Sequence, residues 1–138
     1  MRTLSTKLFI SAAALIVMTT SAGALLLGRE SDKAKEMLSQ YERTGEAVSC
    51  VLLRNVEDTD AVDDYTLLVE MRNGEMYLNE LSGRCAGLEF EQRYVHESTA
   101  SRMCRGDTIR VLDAFGTERG GCGLGDFEKL SKIENPDS

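Results

Sequence analysis

The residue pattern predicts a mainly β fold. The expected form is a small antiparallel sheet rolled toward a barrel and stapled by two disulfides. An N-terminal signal or anchor helix and a short second helix precede it. Three observations predict this. Short apolar segments recur between turn residues. Asn73-Gly74 sits at the middle of Tyr65–Leu81, YTLLVEMRNGEMYLNEL, as a hairpin signal. Four cysteines, an even set, follow an apolar N-terminal run.

Taken in order, Arg2 and Lys7 form a positive region before an uncharged, mostly apolar run from Leu8 to Gly28. Ala22-Gly23-Ala24 has the small-x-small form that signal peptidase cleaves, so residues 1–24 read as a signal peptide. The alternative is an uncleaved anchor reaching residue 28, since about 20 apolar residues span a bilayer. Either way the remainder is expected outside the cytoplasm: periplasmic, or held on the outer side of the inner membrane. No cysteine ends the run, which argues against a lipid-modified N-terminus.

Residues 29–46 are polar, with Met37, Leu38 and Tyr41 at helical spacing, a cap at Ser31 or Asp32 and a stop at Gly45. They predict a helical linker. The folded domain is expected over 47–130, with a flexible tail over 131–138. Val48–Leu53 reads as a strand. Arg54–Asp64 reads as an acidic connection whose aspartates bond their own backbone. Asp58, Asp60, Asp63 and Asp64 do not fit a calcium loop. A loop beginning at Asp58 needs glycine where Asp63 stands and glutamate where Val69 stands.

A two-residue turn at Asn73-Gly74 would set Met71 opposite Met76, Val69 opposite Leu78 and Leu67 opposite Glu80. One hairpin face is then apolar. The other carries Leu68, Tyr77 and Leu81 among polar residues, and these three form a candidate contact patch. Residues 82–104 read as a long connection with one irregular strand, and Thr108–Leu112 as a cleanly alternating strand. The glycines of Gly120–Phe127 suit close backbone approach at a barrel seam.

Cys50, Cys85, Cys104 and Cys122 predict two disulfides. No C-x-x-C pair is present, which argues against zinc and against a redox-active pair. Of the three pairings possible, Cys50–Cys122 with Cys85–Cys104 is expected. It would join the first strand to the last and bracket the long connection.

The segments SCVLLRNVEDTDAVDDYTLLVEMRNGEMYLNEL, RCAGLEF, MCRGDTIRVL and CGLGDF resemble an uncharacterised family of small exported proteobacterial proteins. The shared pattern is a cysteine strand, V-D-D-x-T, N-x-L, C-x-G-L and two later cysteines, over about residues 48–127. The resemblance implies that the cysteines, Asp63-Asp64 and Asn79 belong to a common scaffold. It implies no activity, ligand or catalytic residue.

Chemistry is sparsely signalled. A Ser-His-Asp triad could draft His96 with Ser98 or Ser101 and Asp107, but no G-x-S-x-G elbow exists. Glu89, Glu91 and Glu97 could serve as acid and base of a carboxylate-based hydrolase acting outside the cytoplasm. That is the alternative reading. GGCGLG does not spell a phosphate loop. A net charge of −7 opposes nucleic acid. The expectation is a non-enzymatic exported envelope protein with a binding or structural role. It uses no cofactor or metal, and its partner is an envelope protein or small ligand. Membrane contact is expected only through an uncleaved N-terminal segment.

Overall fold

Thr66–Met71 carries apolar side chains at successive positions, which a strand satisfies only when both of its faces are covered. Both are covered in the computed structural model, which describes residues 29–98 and 100–134. Leu67, Leu68 and Val69 are 0%, 1% and 0% exposed. The signal or anchor reading of residues 1–28 and the end of the tail lie outside the described residues.

The chain runs α1 (Arg29–Leu38), β1 (Tyr41–Val48), β2 (Cys50–Leu52), a 3₁₀ turn (Leu53–Asn55), β3 (Val56–Asp63), β4 (Thr66–Met71) and β5 (Met76–Glu80). It continues with α2 (Leu88–Glu91), β6 (Tyr94–Glu97), β7 (Arg102–Cys104), β8 (Thr108–Leu112), β9 (Glu118–Gly123) and β10 (Phe127–Lys132). A five-stranded antiparallel sheet has the order β1-β10-β5-β4-β3. The pair β2-β7 and the trio β6-β8-β9 form two smaller antiparallel sheets. One face of the large sheet packs Leu68, Met76, Leu78 and Leu130 against Ala34 of α1. The other packs Leu67, Val69, Met71 and Phe127 against Val51, Met103, Ile109, Val111 and Cys122 of the small sheets. Three layers result: helix, large sheet, small sheets.

This is mainly β and antiparallel as expected, but no barrel closes. β1 and β3 are opposite edges of the large sheet and do not pair. The Cys122 strand belongs to a different sheet from β1 and β2, so the expected seam does not exist. The chain instead crosses between layers after β9, at Gly123–Asp126.

The hairpin exists with its register displaced by one. Val69 faces Tyr77 and Leu67 faces Asn79. The cause is the turn. Gly74 N–H donates to Met71 O at 2.8 Å and Met71 N–H to Glu75 O at 2.9 Å, closing a three-residue loop. Only Gly74 takes positive φ, at +84°; Asn73 stays at negative φ. This is a type I turn followed by a glycine bulge, rather than the two-residue turn. The shift splits the contact patch. Leu68 faces α1, while Leu81 is 8% exposed and packs with Tyr77 on the opposite face. Leu68, Tyr77 and Leu81 therefore do not form one surface.

Other expectations are corrected too. The helix of 29–46 ends at Leu38, and Tyr41–Val48 becomes an edge strand on β10. Met37, Leu38 and Tyr41 still share a task, packing under the large sheet. The acidic stretch 54–64 is mostly strand β3, because an edge strand tolerates outward carboxylates that would block a second sheet. The 82–104 connection contains α2 and two short strands.

All four cysteines are bonded, as Cys50–Cys104 and Cys85–Cys122. The expected Cys50–Cys122 and Cys85–Cys104 pairing is overturned by strand register: β2 and β7 place Cys50 directly opposite Cys104. The bridged residues are 54 and 37 positions apart, worth about 4 kcal/mol each in the loop-entropy model. Such bonds persist in an oxidising compartment. No described helix is long and apolar enough to cross a membrane.

The crossing is fixed by Asn79, which is fully buried. Its Nδ2 donates to Gly125 O at 2.8 Å and its Oδ1 accepts from Gly125 N–H at 2.9 Å. A Cβ on Gly125 would lie 2.0 Å from Glu80 O, so no other residue fits. Asn79→Ala should cost about 3 kcal/mol, because two buried backbone groups lose their partners. Phe115→Ala, at a side chain 93% exposed, should stay within about 0.5 kcal/mol of wild type. Denaturant unfolding with disulfides intact measures both, and equal costs would remove Asn79 from this role.

Candidate functional site

β3 is the outer edge of the large sheet, and β6 is an edge of the smaller trio. Between them lies a cleft of about 570 Å³. Its apolar lining is Leu53, Val56, Met103 and Leu112, and its polar lining is Asp58, Thr59, Gln92, Arg93, Tyr94 and His96. Tyr94 and His96 reach it together because alternate residues of β6 share a face.

Three of the polar wall residues, Gln92, Tyr94 and His96, are fixed from behind. Gln92 ends α2 in the left-handed region, at φ +51°. Its Oε1 accepts from Ala61 N–H and its Nε2 donates to Ala61 O, both at 2.8 Å. The amide thus replaces a missing neighbour strand along β3. The Tyr94 hydroxyl donates to Thr59 Oγ1 at 2.9 Å, and burial pushes the phenol above its ordinary range. His96 Nε2 lies 2.8 Å from Asp107 Oδ2, with the imidazole 10% exposed. Asp107 Oδ2 also accepts from Cys104 N–H at 2.8 Å. That bond, with the one to His96, holds the Asp107 carboxyl below the usual carboxylate range.

The structure therefore joins His96 to Asp107, two members of the triad considered above. It does not bring a serine to them. Ser98 Oγ is spent on Ala100 O and Ala100 N–H, each at 3.2 Å. The candidate carboxylates Glu89, Glu91 and Glu97 are absent from the cleft lining. Glu89 holds Lys35 at 2.8 Å and Glu97 holds Arg110 at 3.2 Å. The carboxyls of Glu75, Asp107, Asp113 and Glu128 are pushed down. A general acid needs the opposite. Among the described residues no three His, Cys, Asp or Glu side chains are grouped to hold a metal. A second cleft of about 420 Å³ lies beside the hairpin tip, and the charge of its Glu75 is taken by Lys129 at 2.5 Å.

The motif residues have structural tasks. Asp63 Oδ1 accepts from Tyr65 N–H at 2.7 Å and shapes the β3–β4 turn. Asp64 accepts from Glu89 N–H at 3.1 Å and Arg84 Nε at 3.1 Å, pinning α2 to that turn. In Cys85-Ala86-Gly87-Leu88, Gly87 takes φ +86° and Leu88 is fully buried. A family model matches residues 6–132. The chain belongs to DUF6491, a family of unknown function. No curated protein and no solved structure matches it. The scaffold of this DUF6491 chain thus accounts for Asp63, Asp64, Asn79 and the cysteines without assigning them chemistry. Gln92 was missed as a site residue, and His96 and Asp107 were drafted only into a triad whose serine the structure does not supply. Only the alternation of Tyr94 and His96 in a strand hinted at a shared wall.

Asp107 binds its proton more weakly folded than unfolded. Its contribution to stability is complete above the ordinary aspartate range and is lost as pH falls through it, below about pH 4. Asp107→Asn keeps an acceptor for Cys104 N–H but removes the charge. The variant should be less stable at pH 7 and lose less stability between about pH 5 and pH 2. Parallel acid-unfolding curves would refute this assignment.

Proposed function

We propose that this protein is an exported, non-enzymatic domain of the proteobacterial cell envelope, periplasmic in its mature form, that binds a small ligand in the β3–β6 cleft. The observation that carries the binding role is the way the cleft walls are built. Gln92, Tyr94 and His96 face it, and each is locked by a partner behind it, at Ala61, Thr59 and Asp107. Binding sites gain affinity when their polar groups need no ordering on association. An apolar floor with a few fixed polar groups is the usual composition of such a site. The two disulfides and the leader-like residues 1–24 support export.

The test is to express the full-length chain in a Gram-negative host and analyse the envelope fraction by native mass spectrometry. The expected result is a chain lacking residues 1–24, with both disulfides and a bound small-molecule mass. Leu53→Trp places a bulky ring at an exposed lining position and should remove that mass while leaving the fold intact. A cytoplasmic chain with four free thiols would overturn the location. A ligand-free protein, or a bound mass indifferent to Leu53→Trp, would overturn the site.

A further inference from the structure

The two disulfides differ in what surrounds them. Cys85 and Cys122 are 1% and 9% exposed and belong to the core. Cys50–Cys104 lies outside it. Alternation along β2 and β7 sends Val51 and Met103 inward. Cys50 and Cys104 fall on the opposite, outer face, and both are partly exposed. C-x-x-C spacing is a local route to a redox-active pair. Here strand register brings the pair together across 54 positions. β2 has β7 on one edge only. Its other edge borders the second cleft, of about 420 Å³, whose lining includes Val48, Cys50 and Leu52 and, from the hairpin, Met71 and Tyr77. No residue of β7 lines that cleft. The sulfur bonded to Cys50, that of Cys104, therefore stands on the side of β2 away from the cleft.

We propose that Cys50 is a modification site: a small-molecule thiol enters the second cleft and exchanges with the Cys50–Cys104 bridge. Thiol–disulfide exchange passes through a mixed disulfide and depends on access to the sulfur attacked. The attacking, central and leaving sulfurs stand roughly in line. With Cys50 central and Cys104 leaving, that line runs back to the cleft. The thiolate forms a bond to Cys50 Sγ and the Cys50–Cys104 bond breaks. Cys104 departs as a thiolate and takes a proton from water. A second thiol then attacks the mixed disulfide and frees Cys50 as a thiol. In sum, two small thiols are oxidised to one disulfide and the bridge is reduced to two cysteines. A cleft of this volume suits a small ligand rather than a folded reductant. Arg72 holds Glu57 at 3.5 Å and Glu75 holds Lys129 at 2.5 Å. The charged groups of the lining are thus paired, and no net negative wall opposes the thiolate. The step is stoichiometric and stands beside the binding role of the β3–β6 cleft without depending on it.

The experiment incubates the disulfide-intact protein, without denaturant, with reduced glutathione as a thiol probe. Samples are quenched at intervals with N-ethylmaleimide and mapped as peptides without reduction. The first product should carry glutathione on Cys50 and the maleimide on Cys104. The Cys50–Cys104 bridge should open roughly tenfold faster than Cys85–Cys122, or more. Val48→Trp sets a large ring in the cleft lining at a position 43% exposed, and should slow that opening about fivefold by restricting access. Phe115→Trp, at a side chain 93% exposed and absent from the lining, should leave the rate within about twofold of wild type. Glutathione first on Cys104, equal opening of the two bridges, or no opening of either would overturn the proposal. So would an undiminished rate in a Val48→Trp chain whose circular dichroism matches wild type. The order of opening and the sulfur attacked are read on the wild-type chain, so a misfolded variant does not shield the proposal.

Discussion

One buried amide holds the layers of this protein together. The chain leaves the small sheet at Gly123 and enters the large one at Phe127. Between them Gly125 presents a peptide N–H and C=O to an interior with no strand to receive them. Asn79 supplies both partners from the end of β5. The neighbouring peptide continues the connection: Leu124 N–H donates to Asp107 O at 2.9 Å, and Gly106 N–H to Leu124 O at 2.9 Å. Asp107 in turn holds His96 at the cleft. A scaffold residue deep in the core thus fixes, through three hydrogen-bonded steps, the position of a wall residue of the cleft. Leaving either Gly125 group unpaired would cost about 1–3 kcal/mol, a large share of the stability of so small a domain.

Gln92 repeats the device at the periphery. Where Asn79 stands in for a strand at a crossing, Gln92 stands in for one at a sheet edge, taking both backbone groups of Ala61. The two amides do the work that barrel closure would otherwise do. The sheet can stay open because its interruptions are capped by side chains, and the cleft exists because it stays open. An edge blunted in this way, and lined with Asp58 and Asp60, is also a poor template for another strand.

The sequence was legible where a signal was local. Thr108–Leu112 alternates, and it is a strand with those bounds. Asn73-Gly74 does mark a hairpin, but the dipeptide serves two turn geometries. Only the burial of both sheet faces selects the one that puts Val69 beside Tyr77. The error of one residue was enough to invent a contact patch from Leu68, Tyr77 and Leu81. The cysteines announced two bridges, but their pairing depends on β2 meeting β7, a contact between segments about fifty residues apart that no local pattern encodes. The acidic β3 was hidden because charge depresses strand propensity, and its strandedness comes from β4 beside it. His96 and Asp107 were each visible as residues. Their union depends on the β6–β8 register and on the turn after Cys104.

The electrostatics follow from the same architecture. Five of the paired arginines sit on or beside strands where a neighbouring strand or turn presents a carboxylate: Arg43 across to Glu128, Arg72 to Glu57, Arg84 to Asp64, Arg110 to Glu118 and Arg119 to Asp113. Arg54 sits in the 3₁₀ turn, Arg93 in the junction between α2 and β6, and Arg102 on the two-stranded sheet, whose opposite strand, Cys50-Val51-Leu52, carries no charge. At these positions no ladder brings an acid alongside. Of the three, Arg93 lines the β3–β6 cleft.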